Sequence, residues 1–316
     1  MKVLASADWH LKLNVKNVPN EWAINRFRMM FTQMHELSTN LDMHVVMGDI
    51  FDKLPNLEEL QLFFEFVQNV KVTTIIFSGN HEATKKGQTF LSHLKGVVNS
   101  LNSKVTILDD YYSIHNMDFL PYNKLKEYST TKANNIYNGN ILFTHVRAAI
   151  PPHVKPEVDL DIFNSWKVVF AGDLHSHENS QRNIVYPGSP VTTSFHRNLV
   201  DTGVIILDSE TLDWEWKKLE VPQLIRKTIQ AGEPMPQTEY HHTIYEVEGD
   251  MSALGNMEDS ELLDKKVVKR NSDTALILSP EMTIEEELDE YLRFILELDD
   301  STIEGIMKEY HDNTRT

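Results

Sequence analysis

Five short apolar runs, each followed by side chains that can bind a metal, constrain the fold of this 316-residue chain more than any other feature. The runs lie at residues 3–4, 45–47, 75–77, 141–143 and 168–170. Segments with apolar residues at helical spacing lie at residues 21–39, 57–69 and about 88–101. Strands that alternate with helices, followed by clustered strands, predict an α/β core of packed sheets with helices outside.

The polar residues that follow these runs form one constellation. In chain order they are Asp8, His10, Asp49, Asp52, Asn80, His81, His145, His175 and His177. The carboxyl ends of strands in open α/β sheets are where ligands bind, so five such ends can converge in space. A single Asp-x-His or an isolated histidine is more often a cap, a surface pair or a buried core residue. Five such motifs in this order predict a metal centre.

The ligand types narrow the choice of metal. The chain has no cysteine, which excludes disulfides, thiolate nucleophiles and iron–sulfur clusters. Imidazole, carboxylate and one carboxamide suit Mn, Fe, Zn or Co. The seven candidate ligands are Asp8, His10, Asp49, Asn80, His145, His175 and His177. Seven ligands are too many for one tetrahedral ion, and they fit two ions about 3.5–4 Å apart that share a carboxylate, as in phosphoryl hydrolysis.

The charge is unevenly distributed along the chain. The formal net charge is −17, but residues 1–232 hold 25 acids and 23 bases, and residues 233–316 hold 22 acids and 7 bases. The first part is therefore close to neutral, and its charge does not argue against a nucleic-acid substrate. The shift predicts a boundary near the Pro-rich residues 232–236. The acidic last quarter is either a solvated surface or a surface that faces a basic protein partner.

The later part of the chain predicts smaller elements. Residues 204–207 and 214–216 read as the strands of a hairpin, and residues 240–280 as a small α/β unit with strands at 243–247 and 275–278. Beyond Pro280, two amphipathic helices follow, which either dock on the chain's own core or bind a partner's coiled coil. No apolar run approaches the roughly 18 residues of a membrane span, and we expect a cytoplasmic protein without a membrane partner.

Together, Asp-x-His, Gly-Asp-x-x-Asp, Gly-Asn-His-Glu, a single His and His-x-His resemble the motifs of the calcineurin-like metallophosphoesterases. Within them the chain is most similar to the SbcD-type and meiotic-recombination-eleven nuclease subunits and their phage recombination-exonuclease counterparts. Gly-Asp-Ile-Phe-Asp and the segment Tyr186-Pro187-Gly188-Ser189-Pro190 support this narrower resemblance. The resemblance implies a four-layer fold of two packed mixed sheets flanked by helices. It also implies a nuclease domain at 1–220, a DNA-positioning capping domain at 221–280 and ATPase-binding helices at 281–316.

The resemblance further implies roles for the candidate residues. Asp8, His10, Asp49 and His177 would hold one ion, and Asn80, His145 and His175 the second, with Asp49 bridging. His81 would donate a proton or stabilise charge, and Asp52 would orient a ligand. The family usually has Gly-His-x-His, whereas here Asp173 and Leu174 separate Gly172 from His175, so Asp173 is either a further ligand or a partner of one. Glu82 stands where the family more often has Asp.

The function that the resemblance implies is an Mn²⁺-dependent DNA nuclease, with Mg²⁺, Fe or Zn as alternatives, that belongs to an SbcCD-like complex in DNA repair, recombination or replication. It would digest duplex ends 3′ to 5′ and cut single strands. The implied partners are DNA, an SbcC-type coiled-coil ATPase and a second copy of the chain, and the apolar face of the helix at 21–39 is compatible with such a dimer. Two alternatives remain, another phosphoesterase (a protein phosphatase or cyclic-nucleotide phosphodiesterase) and a scaffold without metals.

Overall fold

The computed structural model describes residues 1–83, 88–131, 139–268, 282–296 and 298–314. The strands are β1 (Lys2–Ser6), β2 (Met43–Met47), β3 (Thr73–Phe77), β4 (Val105–Leu108), β5 (Tyr112–Ile114), β6 (Met117–Leu120), β7 (Ile141–His145), β8 (Val168–Gly172), β9 (Ile184–Val185), β10 (Gly203–Asp208), β11 (Trp214–Lys218), β12 (Leu224–Gln230), β13 (His242–Gly249) and β14 (Leu263–Val268). The helices are α1 (Asn20–Ser38), α2 (Leu57–Asn69), α3 (Leu91–Leu101), α4 (Tyr122–Thr131), α5 (Met251–Gly255), α6 (Ile284–Glu290) and α7 (Asp300–Thr314).

Six strands form the first sheet, in the order β11-β10-β1-β2-β3-β4. Strands β1 to β4 are parallel, and β10 and β11 run antiparallel to their neighbours. The register places Ala5, Val45 and Ile75 side by side on the three central strands. The carboxyl ends of β1, β2 and β3 therefore lie level with one another, which brings the residues that follow them to one edge of the sheet.

Five strands form the second sheet, in the order β5-β6-β7-β8-β9. Strand β5 is antiparallel to β6, and the remaining pairs are parallel. His145 at the end of β7 pairs with Gly172 at the end of β8. The last two strand ends of the sequence pattern thus lie next to each other in this sheet.

The two sheets pack face to face, and alternation of side chains along each strand separates their two faces. Ala5, Val45 and Phe77 point towards Phe143 and Phe170 of the second sheet. The alternate residues point the other way and pack on α1, α2 and α3 or, for the second sheet, around α4 and the short helical turn Leu160–Phe163. The fold is therefore mixed α/β, with two packed sheets between layers of helices, which confirms the predicted fold class.

The helices of the first sheet follow the predicted spacing with small differences at their ends. Helix α2 has the predicted bounds, and α3 begins at Leu91, three residues later than predicted. The apolar face of α1, which includes Phe27, Met30 and Met34, packs on the first sheet. That face is therefore buried inside the fold.

The predicted hairpin is confirmed, since β10 and β11 are antiparallel neighbours. A third sheet has the order β12-β13-β14, and β13 contains the strand predicted at 243–247. The strand predicted at 275–278 lies outside the described residues. The chain divides into two compact units, residues 1–228, 234–246 and 259–265 in one, and residues 229–233, 247–258 and 266–316 in the other.

The second unit contains the predicted terminal helices. The first is α6, which ends at Glu290 and is shorter than predicted. The chain then forms a π-helical turn at Tyr291–Ile295. Thr283 and Glu286 form a capping box at the start of α6. Helix α7 covers the second predicted helix. In the described part of the chain, no helix combines the length and apolarity needed to cross a bilayer.

Candidate metal centre

Strand ends from both sheets meet at one place. Three groups of side chains there have nitrogen or oxygen atoms within 4.8 Å of one another. The groups are Asp8 with His10 and His175, His10 with Asp49 and His81, and Asp8 with Asp49 and His145. Residues after β1, β2 and β3 of the first sheet therefore face residues at the ends of β7 and β8 of the second, and the predicted convergence is present.

Backbone hydrogen bonds join the loops after β1 and β2, and three residues of these loops have unusual φ values. The N–H of Asp8 donates to the carbonyl of Gly48 (3.0 Å), and the N–H of His10 donates to the carbonyl of Asp49 (2.9 Å). Asp8, His10 and Asp49 have φ values of 56°, 45° and 51°. Left-handed conformations at non-glycine residues cost about 1–3 kcal/mol each and cluster at functional sites. Strain is thus concentrated at three of the predicted ligands.

Glycines allow the loops after β2 and β3 to touch. A Cβ atom on Gly48, whose φ is +83°, would lie 2.3 Å from the backbone nitrogen of Gly79. A Cβ on Gly79 would lie 2.1 Å from Oδ1 of Asp49. The glycines of the Gly-Asp and Gly-Asn-His motifs are therefore required by close packing at the centre itself.

The buried carboxylate of Glu82 ties these two loops together. It accepts hydrogen bonds from the backbone N–H groups of Asp49 (3.0 Å), Phe51 (3.0 Å) and Gly79 (2.8 Å). Burial raises the pKa of Glu82 to about 7, and the nearby Asp49 carboxylate adds to the rise. The sequence marked Glu82 only as a departure from the family motif. Its position directly after Asn-His was the available signal for this role.

Polar atoms of three side chains face each other where a second ion would bind. Oδ1 of Asn80 lies 2.9 and 3.1 Å from the two carboxylate oxygens of Asp49, and 3.0 Å from Nε2 of His145. Nδ1 of His145 donates to the carbonyl of Met47 (2.8 Å), which leaves Nε2 directed at the other two residues. With the amide in this orientation the three side chains offer oxygen and nitrogen donors that fit a metal ion, whereas with the amide rotated by 180° its nitrogen would donate to Asp49.

The charges of the buried groups suit the binding of a cation. Burial alone would lower the pKa of His145, but the carboxylates of Asp49, Asp8 and Asp173 outweigh burial and raise it to about 9. Burial raises the pKa of Asp8 well above its usual value, and Asp49 adds to the rise. Carboxylates that are costly to ionise without a counter-charge are suited to divalent cations.

The first ion would lie between His10 and His175. Their Nε2 atoms are 3.1 Å apart, and Nδ1 of His175 contacts the Thr193 hydroxyl at 3.0 Å. Burial, followed by the neighbouring His10, lowers the pKa of His175 to about 4. A neutral imidazole is the form that binds metals. His10 and His175, with the oxygens of Asp8 and Asp49, therefore fit a divalent ion.

His81 and Asp52 lie at the edge of the centre. Nδ1 of His81 donates to the backbone carbonyl of Asp52 (2.5 Å), which leaves Nε2 facing Asp49 Oδ2 at 3.8 Å. The Asp52 carboxylate is 3.6 Å from Nδ1 of His10 and 2.8 Å from Nζ of Lys12. The His10 ring and then Lys12 hold the pKa of Asp52 well below its usual value. Asp52 thus contacts a candidate ligand on the side away from the ions.

His177 is the one predicted ligand that the structure does not bring to the other six. Strand β8 ends at Gly172, and His177 begins a short helical turn, so His175 and His177 do not share a strand face as the alternation had suggested. Nδ1 of His177 donates to the carbonyl of Tyr186 (2.6 Å), and its ring stacks on Trp216 with centroids 5.7 Å apart. In the group of Asp8 and His10, where His177 was predicted, the structure places His175.

The Tyr-Pro-Gly-Ser segment donates hydrogen bonds to backbone carbonyls at or next to two candidate ligands. The hydroxyl of Tyr186 donates to the carbonyl of Val146 (2.8 Å), one residue after His145. The hydroxyl of Ser189 donates to the carbonyl of Asp8 (2.6 Å). The sequence identified this segment by resemblance but assigned no role to Tyr186, Ser189 or Thr193. Hydrogen bonds between distant segments leave no local pattern from which to find them.

Comparison with known proteins agrees with this geometry. Residues 1–195 match the family described as Calcineurin-like phosphoesterase. Because this match covers more than half of the chain, and because the donor set fits two divalent ions, the chain belongs to that family. It is a metal-dependent hydrolase of phosphate esters.

Two viral relatives and one solved structure are similar to the chain. It is 39% identical over 97% of its length to 97% of the "Probable exonuclease subunit 1" of Escherichia phage T5. It is 26% identical over 65% of its length to 75% of a protein of Invertebrate iridescent virus 6 described as a phosphoesterase. An archaeal phosphodiesterase structure aligns over 69% of this chain and 100% of that chain, with 14% identity and a TM-score of 0.40.

Proposed function

We propose that the chain is an Mn²⁺-dependent DNA nuclease, the nuclease subunit of an SbcCD-like complex in DNA repair, recombination or replication. It digests duplex ends 3′ to 5′ and cuts single strands. One observation carries the nuclease assignment: similarity to the phage T5 protein extends through 97% of both chains, far beyond the phosphoesterase match at 1–195. A small phosphatase has no use for the remaining third of such a chain.

The residues of the centre have distinct tasks in this reaction. Two divalent ions held there would lower the pKa of a water molecule and offset the charge of the phosphoryl oxygens. The carboxylate of Asp49 lies between the two groups of candidate ligands and would help to position both ions. His81, fixed through Nδ1, presents Nε2 to the leaving sugar oxygen and delivers a proton to it.

Two cavities beside the centre can hold a nucleotide chain. A cavity of about 430 Å³ is lined by His10, and one of about 820 Å³ by His175. Thr193 and Ser194 lie in the walls of both. Volumes of this size accommodate ligands as large as a nucleotide. A strand that passes from one cavity to the other would cross the metal centre, as cleavage within a polymer requires.

Arg26 gives the smaller cavity a cationic group suited to a phosphate. Its Nη atoms donate to the Thr192 hydroxyl (3.2 Å) and carbonyl (3.0 Å), while Nε, within the described residues, has no hydrogen-bond partner. The guanidinium lies 5.3 Å from the Trp22 ring centroid and has no carboxylate within 4 Å among those residues. Burial lowers its pKa to about 9. A buried cation without a counter-anion is stabilised by substrate phosphate.

The runner-up function is hydrolysis of phosphoproteins or cyclic nucleotides, since the metal centre is common to such enzymes. A direct comparison of substrates separates the two. The purified protein, loaded with Mn²⁺, is offered duplex DNA labelled at its 3′ or 5′ end, single-stranded circular DNA, a phosphoprotein and a cyclic nucleotide. The proposal expects release of labelled mononucleotide from the 3′ end and nicking of the circle. Turnover of the phosphoprotein or cyclic nucleotide alone would favour the runner-up.

The helices of the second unit carry apolar side chains on which the coiled coil of an SbcC-type ATPase could dock. Leu292 and Ile303 are buried, whereas Tyr291, Phe294 and Leu296 remain 41–47% exposed. Exposed apolar residues clustered on and just after a helical turn are suited to contact with a partner helix. The double substitution Phe294→Asp and Leu296→Asp should abolish co-purification with the ATPase and leave nuclease activity intact. Leu54→Asp, at a still more exposed leucine (74%) outside the second unit, is the control. Unchanged co-purification of the double variant would contradict the proposal.

A further inference from the structure

The segment after β8 places one acidic side chain beside the predicted second ion. Asp173 has a φ of 100°, a conformation that non-glycine residues rarely adopt. Its backbone N–H donates to both carboxylate oxygens of Asp8, at 3.0 and 3.1 Å. Its side chain is only 10% exposed, and Oδ1 lies 3.9 Å from Nε2 of His145. The strained backbone thus turns a carboxylate towards the centre.

The neighbouring histidines show which ligands remain for the second ion. His175 faces His10 across 3.1 Å, so it belongs to the first ion's group. His177 is engaged by Tyr186 and Trp216. Neither His175 nor His177 therefore lies beside His145, although His175 was predicted to share an ion with His145. Asp173 is the side chain from this segment that contacts His145.

We infer that Asp173 is a ligand of the second metal ion, together with Asp49, Asn80 and His145, and that His177 binds neither ion. This inference rests on the metal centre of the proposed function but not on its DNA substrate. The second ion then has three oxygen donors and one nitrogen donor, whereas the first has two of each. Oxygen-rich sites favour hard ions such as Mn²⁺ and Mg²⁺ over Zn²⁺. The two positions therefore differ in metal preference.

The test counts bound ions and does not depend on activity. Metal-free protein is titrated with Mn²⁺, and free Mn²⁺ is followed by electron paramagnetic resonance. Asp173→Gly removes the carboxylate without strain, because glycine adopts a φ of 100° freely. We expect the wild type to bind two ions and the variant to bind its second at least about 100-fold more weakly, beyond the 10–100-fold effect of residues that act through a ligand.

Two further variants make the outcome unambiguous. Asp173→His restores a ligand and should recover the second ion with a shift in preference from Mn²⁺ towards Zn²⁺, measured by competition. His177→Ala should retain both ions. Two ions of wild-type affinity in Asp173→Gly, or loss of one in His177→Ala, would overturn the inference. A wild type that binds two ions but degrades no DNA would contradict the proposed function and leave the assignment of Asp173 intact.

Discussion

At the scale of single residues, a polar contact to Nδ1 orients each of three imidazole rings in the centre. Nδ1 of His145 is held by the carbonyl of Met47, Nδ1 of His175 by Thr193 and Nδ1 of His81 by the carbonyl of Asp52. In each case Nε2 is left facing the centre. Such contacts fix ring orientation and tautomer before any ion binds. His81 differs from the other two because its Nε2 lies at the rim.

His81→Ala tests the role of the rim histidine. Loss of a positioned proton donor typically costs 10²–10⁴-fold, so kcat on DNA should fall by about that factor. The number of Mn²⁺ ions bound should stay at two, because the other candidate ligands are untouched. Nuclease rates and Mn²⁺ binding are measured on the same preparations, with the exposed His93→Ala as control. Wild-type turnover in His81→Ala would remove the assigned role.

Glu82→Gln tests the carboxylate that ties two loops together. A carboxamide offers one acceptor oxygen where three backbone N–H groups now donate to a carboxylate. Hydrogen bonds to charged groups contribute about 1.5–3 kcal/mol, so the free energy of unfolding should fall by about 2–3 kcal/mol. We expect a lower midpoint in urea and weaker Mn²⁺ binding. Glu36→Gln, at an exposed position of α1, should change neither quantity.

His44 predicts how stability depends on pH. It is buried, its Nε2 contacts the Ser6 hydroxyl at 2.9 Å, and burial lowers its pKa to about 3. In the unfolded chain the pKa is about 6.5, so between pH 6.5 and 3 the unfolded state binds one more proton and stability falls as pH falls. From pH 7 to 5 this group should remove about 2 kcal/mol.

The measurement is urea unfolding at several pH values for the wild type and His44→Gln. The variant should lose less stability between pH 7 and 5, by about the 2 kcal/mol assigned to His44. His93→Gln is the matched control, because that side chain is exposed in the folded protein and should leave the pH slope unchanged. Equal slopes for the wild type and His44→Gln would contradict this prediction.

At the scale of elements, the sequence predicted strands and helices well where periodicity is strong. Helix α2 agrees with its predicted bounds of about 57–69, and in the structure Asn56 and Glu59 form a capping box at its start. Prediction failed where local pattern competes with distant contacts. Alternation placed His175 and His177 on one strand face, but β8 ends at Gly172. Nothing in the local sequence encodes the hydrogen bond from His177 to Tyr186 that stabilises the turn.

Helix α1 carries a prediction about substrate binding. Arg26→Met should weaken DNA binding about tenfold and reduce the salt dependence of affinity by about one unit, because one phosphate contact is lost. Hydrolysis of bis-(p-nitrophenyl) phosphate should be unchanged, since that small substrate does not reach the cavity wall. Arg28, two positions along α1, is exposed and paired with Glu65. Arg28→Met is therefore the control, and equal effects of both variants would argue against a phosphate subsite at Arg26.

At the scale of the whole molecule, the sequence identified the ligand types and the strand ends that carry them. The resemblance grouped His175 with His145, but the structure places it beside His10, because the grouping depends on how two separate sheets face each other across Ala5, Val45 and Phe143. Side-chain direction at Asp8, Asp49 and Asp173 is set by left-handed backbone, which no periodicity predicts. The uneven charge remains compatible with a nucleic-acid substrate, because the near-neutral residues 1–232 contain the whole metal centre.

We expect this chain to hydrolyse DNA only when the residues of its centre hold two divalent ions. The most direct test is to add Mn²⁺ stepwise to metal-free protein and measure release of nucleotide from end-labelled duplex DNA against the number of ions bound. We expect almost no release with one ion per chain and full activity as the second binds. Full activity with a single ion, or activity that survives excess chelator, would contradict the account.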